Sequence, residues 1–149
     1  MPYTAQPICF DVLAGTMVTN AGDIRLTVNR PNGEISERNP QVWSVRFEAI
    51  DGGIMDSGGT QRITYFAPES GYSTSRVISS SDRLPESGVG GFSTGFYVKS
   101  RNGQVYAKLR VSFGINEEPE GLMYVEFTGV ANTNGSRNWE GDGNTYNGL

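Results

Sequence analysis

Apolar and polar residues alternate with period two along most of the chain. Ile24, Leu26 and Val28 alternate with Asp23, Arg25 and Thr27, and Trp43, Val45, Phe47 and Ala49 with Ser44, Arg46 and Glu48. The longest run sets Val105, Ala107, Leu109, Val111 and Phe113 against Tyr106, Lys108, Arg110 and Ser112. Another sets Met123, Val125 and Phe127 against Tyr124, Glu126 and Thr128. Weaker runs cover 8–13, 62–66, 72–78 and 96–100. Successive side chains of a strand point to opposite faces, so each run predicts a strand with one dry and one wet side. Helical periodicity is absent, and Gly or Pro interrupts almost every stretch long enough to carry it.

The pattern predicts an all-β chain of about eight antiparallel strands. A dry face on every strand needs cover, from a second sheet or from closure of the first. We read one domain over 1–149, an antiparallel β-sandwich of Greek-key or jelly-roll order, with a barrel as the alternative. Residues 132–149, rich in Gly and Asn, read as an irregular tail pinned to the sandwich by Trp139.

Turn chemistry agrees. Pro31-Asn32-Gly33 and Asp51-Gly52-Gly53 follow strand-like runs and supply residues that accept positive φ. Tyr65, Phe66 and Tyr72 bracket Pro68-Glu69-Ser70-Gly71, which predicts a tight turn whose tip shows one aromatic. Two connections, 79–91 and 114–121, are long. The strongest signal is Arg101-Asn102-Gly103-Gln104, because Asn-Gly between alternating runs favours a type I′ hairpin.

That turn sets a register. With a two-residue loop Arg101 falls opposite Gln104, Lys99 opposite Tyr106 and Tyr97 opposite Lys108, while Val98 with Ala107 and Phe96 with Leu109 form the core face. The other face then gathers Tyr97, Lys99, Arg101, Tyr106, Lys108 and Arg110, including both lysines of the protein. Such an aromatic and basic platform suits stacking on a sugar ring and pairing with a carboxylate, sulfate or phosphate. Cross-strand Tyr–Lys pairs are also a common way to solvate a sheet face.

Composition narrows the chemistry. The 149 residues carry 12 basic and 16 acidic groups, a net charge of −4 and no histidine. Histidine-dependent nucleophilic and acid–base catalysis is therefore excluded, as are histidine-ligated metal sites. The single Cys9 excludes an intrachain disulfide and a CxxC pair, and its alternation with Ile8 and Phe10 predicts a buried small hydrophobe. The acidic balance lacks an electrostatic footprint for nucleic acid, and no apolar run is long enough to span a membrane. The chain shows no signal peptide. Its Gly-, Ser-, Asn- and Thr-rich connections suit an exported bacterial protein, extracellular or periplasmic.

Other candidates are weaker. Glu48 and Glu126 are mid-strand carboxylates on wet faces; a glycosidase would need them facing each other across a cleft. Asn134, Glu140, Asp142 and Asn144 offer hard oxygen donors that would suit calcium, as would Asp51 and Asp56. No other cofactor is indicated. Trp139 is a second candidate anchor for a sugar, and Asn134-Gly135-Ser136 matches a glycosylation acceptor. Gly88-Val89-Gly90-Gly91 lacks the lysine and strand–helix context of a phosphate loop. The leading expectation is a non-catalytic, carbohydrate-binding module, its contacts being Tyr97, Lys99, Arg101, Tyr106, Lys108, Arg110 and Trp139. A structural or protein-interaction domain docking on another protein comes second, and a small carboxylate-dependent glycosidase or lyase third.

Overall fold

The computed structural model describes residues 3–4, 6–30, 44–57, 66–79, 91–115, 123–138 and 144–147, and the statements below concern these. They form eleven strands: β1 (Tyr3–Thr4), β2 (Ile8–Asp11), β3 (Thr16–Val18), β4 (Ile24–Arg30), β5 (Ser44–Ala49), β6 (Gly53–Asp56), β7 (Ser75–Ser79), β8 (Gly91–Ser100), β9 (Val105–Ile115), β10 (Met123–Asn132) and β11 (Asn144–Asn147). One sheet runs β3-β2-β4-β5-β7, with β1 continuing the line of β2 along β4; the other runs β11-β10-β9-β8-β6. Every pairing is antiparallel. The two-layer sandwich predicted by the alternation is present, with β8-β9-β10 forming a meander at the centre of one layer.

The dry faces meet between the layers. Phe10, Ile24, Leu26, Val45, Phe47 and Ile78 from the first sheet pack on Ile54, Phe96, Val98, Leu109, Val111 and Phe127 from the second. Phe10 stacks on Phe127 with ring centroids 4.2 Å apart, and Phe47 leans on Phe96 at 5.1 Å. Each such ring removed from water contributes about 1.5–3 kcal/mol. Cys9 is buried as expected. It lies on the opposite side of β2 from Phe10, where the chain returning from β3 to β4 brings Gly22 against it. A Cβ on Gly22 would stand 2.7 Å from the Phe10 carbonyl oxygen and 3.0 Å from the Cys9 Cβ.

Several elements differ from the alternation. The short strands β1, β3, β6 and β11 were not predicted, each having too few residues to show a period. The tail is not wholly irregular, since β10 extends to Asn132 and β11 pairs with it through Thr128↔Asn147 to Ala131↔Asn144. The run 62–66 lies outside the described residues except for Phe66, as do Pro31-Asn32-Gly33 and Trp43.

Candidate functional site

The hairpin β8–β9 has the register read from its turn at Tyr97↔Lys108, Lys99↔Tyr106, Val98↔Ala107 and Phe96↔Leu109, but the ladder stops at Ser100↔Val105, so Arg101 and Gln104 belong to the turn and do not pair as expected. Asn102 (φ 56°, ψ 35°) and Gly103 (φ 84°) take the left-handed conformations of a type I′ turn, closed by Gln104 N–H to the Arg101 carbonyl at 3.2 Å. With β10 alongside, the outer face forms four rows: Ser93–Ser112–Glu126, Gly95–Arg110–Thr128, Tyr97–Lys108–Val130 and Lys99–Tyr106–Asn132.

One end of this face is covered, which corrects the expectation of an open aromatic platform. Tyr97 is 6% exposed and Tyr106 7%. A strap, residues 66–73, crosses the strands here. Phe66 pairs with Asn138, whose carbonyl accepts from Asn132 Nδ2 at 2.7 Å above the end of β10. At the far edge Ser73 pairs with Ile54 of β6, Tyr72 sits against Gly53, and Gly71 lies against the Met55 sulfur. Arg137 clamps the strap three ways. Its carbonyl accepts from Ala67 N–H at 2.7 Å, its Nη1 donates to the Ala67 carbonyl at 2.9 Å, and its Nη2 pairs with Glu69 at 2.7 Å. Tyr72 donates its hydroxyl hydrogen to the Pro68 carbonyl at 3.0 Å. Burial, helped by the neighbouring Tyr106 and Tyr97 phenols and opposed by Arg137, pushes the Tyr72 hydroxyl up to about 12.

Among the described residues the other end of the face is left exposed at Ser93, Arg110 and Glu126, with Ser57 standing over the outward side of Gly95. Arg110 is exposed, its Nε donating to Ser93 Oγ at 2.9 Å, and Ser112 Oγ donates to the same oxygen at 3.2 Å. Lys108 stands between the two ends, its Nζ 5.9 Å from the Tyr97 ring centroid. Lys99 is half-buried and leans toward the turn, with its Cε beside Gly103.

Arg101 leaves this face altogether. Its φ of 50° breaks the strand alternation and sends the guanidinium around the end of the sandwich. There Nε donates to Asp23 Oδ1 at 3.0 Å, and Nη2 donates to Asp23 Oδ2 and Asp11 Oδ1, both at 3.2 Å. Asp23, 2% exposed, also accepts from Ser100 Oγ at 2.5 Å and Val12 N–H at 2.9 Å. Burial alone would raise this carboxyl, but the hydrogen bonds from Arg101, Ser100 and Val12 outweigh it and hold it below its usual value. The arrangement ties the two sheets together and is structural.

The remaining candidates separate. Glu48, on the outer face of the first sheet, pairs with Arg46 at 3.1 Å, whereas Glu126 lies on the outer face of the second. Their sheets stand back to back, so these carboxylates do not flank a common cleft. Asn134 is exposed, and its Oδ1 accepts from Ser136 N–H at 2.9 Å, an ordinary Asx turn. Asp56 is taken by Arg76 at 2.6 Å. Trp139, Glu140 and Asp142 lie outside the described residues, as does the Asn144 side chain. Among the described residues no three His, Cys, Asp or Glu side chains come together, and no helix is long and apolar enough to cross a membrane.

Sequence reasoning missed Arg137 and Glu69 as site residues. The bend within 68–71 was legible, and of its flanking aromatics Phe66 is exposed and Tyr72 half-buried while Tyr65 lies outside the described residues, but nothing local showed which surface the segment would cover. Comparison with protein-family profiles, with curated proteins and with solved structures gives no match for this chain.

Proposed function

We propose that the domain is a non-catalytic binding module that holds an acidic glycan on the open half of the outer face of β8, β9 and β10. One observation carries the reading: Arg110, Lys108, Ser93 and Ser112 share one side of the paired strands β8 and β9, with Glu126 of β10 beside Ser112, in a chain of net charge −4. The guanidinium and ammonium suit a carboxylate or sulfate, and the hydroxyls suit sugar hydroxyls. The donors sit on regular sheet rather than on a loop, so binding forfeits little ordering entropy. The buried tyrosines support this surface from beneath the strap instead of stacking on the ligand. The reading carries with it an exported setting, extracellular or periplasmic.

Affinity electrophoresis in gels containing polygalacturonate, chondroitin sulfate or dextran tests it. The acidic polymers are expected to retard the protein, dextran to retard it less, and Lys108→Ala/Arg110→Ala to abolish the difference. Equal migration of the wild type in every gel would sink the proposal.

A further inference from the structure

The strap carries a second feature that the charged face does not use. Phe66 is 58% exposed, the largest exposed apolar side chain among the described residues. Its backbone is nonetheless held firmly. The hydrogen bond runs from Ala67 N–H, not from Phe66, to the Arg137 carbonyl, so Phe66 and Asn138 form the narrow kind of antiparallel pair. In such pairs the two side chains stand close together on one side of the ladder. Asn138 is in turn fixed through its carbonyl by Asn132 and through its N–H by Ser136 Oγ at 3.1 Å. Three residues further along the strap, the exposed Glu69 carboxylate pairs with Arg137.

A large ring displayed to water on a braced ladder forgoes the burial energy such a side chain would otherwise contribute, and is free to give it to a ligand. The core has no call on Phe66, since the strap is seated by Ala67 and Tyr72 instead. A flat apolar ring with an amide beside it matches the two-sided chemistry of a pyranose. The sugar's C–H face packs on the ring, while its equatorial hydroxyls meet donors and acceptors at the margin. We infer that Phe66, with Asn138 beside it, is a stacking subsite for one hexopyranose unit of the glycan. It lies at the strap-covered end of the face, where the chain from Arg110 and Lys108 continues. This subsite rests on the glycan-binding reading of the open half.

The test uses the full chain and polygalacturonate as the probe, with thermal melting followed by circular dichroism on each variant. Phe66→Ala is expected to weaken retardation about three- to tenfold, in keeping with the worth of one aromatic contact. Phe66→Trp, which enlarges the ring, is expected to strengthen it, and unchanged or weaker retardation by this variant counts against the subsite. If Phe66→Ala loosens the strap and lowers the melting temperature, the comparison of Phe66→Trp with wild type decides instead. Wild-type retardation by Phe66→Ala, alongside loss in Lys108→Ala/Arg110→Ala, overturns the subsite and leaves the charged face standing. Absence of retardation in the wild type overturns both.

Discussion

Replacing Asp23 by alanine removes the acceptor of four hydrogen bonds at one end of the sandwich, from Val12 N–H, Ser100 Oγ and two nitrogens of Arg101. The donors do not suffer equally. Val12 and Ser100 are fully buried, so each is left without a partner in a place water does not reach. An orphaned buried donor costs about 1–3 kcal/mol. Arg101 is nearly half exposed and keeps Asp11 at 3.2 Å, so its loss adds no more than a surface ion pair, about 0–1 kcal/mol. The sum centres on about 4 kcal/mol, and for a chain of this length it lowers Tm by about 8–16 °C.

The reverse truncation, Arg101→Ala, leaves Asp23 bonded to Val12 and Ser100 with water free to enter where the guanidinium was; about 1–3 kcal/mol follows. Urea unfolding of wild type, Asp23→Ala, Arg101→Ala and the double variant measures both terms and their coupling. An Asp23→Ala cost below about 1 kcal/mol, or an Arg101→Ala cost exceeding it, would refute the reasoning, since buried donors and not the charge pair are argued to dominate.

Acid stability follows from the same carboxylate: its folded value lies below the ordinary 3.8, so its contribution is present above that pH and is lost as pH falls through the folded value. Asp23→Asn is therefore expected to flatten the acid limb of stability against pH; an unchanged limb would show that other carboxylates govern it. At the alkaline end Tyr72, pushed up to about 12, stays protonated in the folded protein after its unfolded counterpart ionises at 10, so stability falls across that interval. Tyr72→Phe removes this loss, and a near-ultraviolet titration lacking a late-ionising phenol in the wild type would contradict it. Gly52→Ala places a Cβ 1.8 Å from the Lys99 carbonyl oxygen, a backbone clash at the crossing between the sheets. Its expected cost is about 2–4 kcal/mol in urea unfolding, and a neutral substitution would mean the crossing is looser than described.

The legible parts of this protein were those encoded within a few residues. Asn102-Gly103 demands two positive φ values in succession, and that requirement set the whole β8–β9 register, hence the row in which Tyr97 meets Lys108. Arg101 escaped the same reasoning because its own left-handed backbone is stabilised from afar, by Asp11 and Asp23 on the opposite sheet. Glu48 and Glu126 illustrate the limit differently. Each was read as facing water, and each does, but the assignment of β5 and β10 to different layers puts them on opposite sides.

Alternation and turn chemistry by themselves determined that the chain is all-β, with Phe47, Phe96 and Phe127 inside and lysines outside, and left a sandwich and a barrel as the ways to cover the dry faces, since hydrophobic period and φ preference act over neighbouring residues. Only the tertiary structure decided which wet face stays wet. Tyr97 and Tyr106 carry the same pattern as Lys108, yet are dry because Ala67 bonds to Arg137, 70 residues away in the chain. No local preference specifies that pairing. It exists only once the sheet that supports both segments has formed.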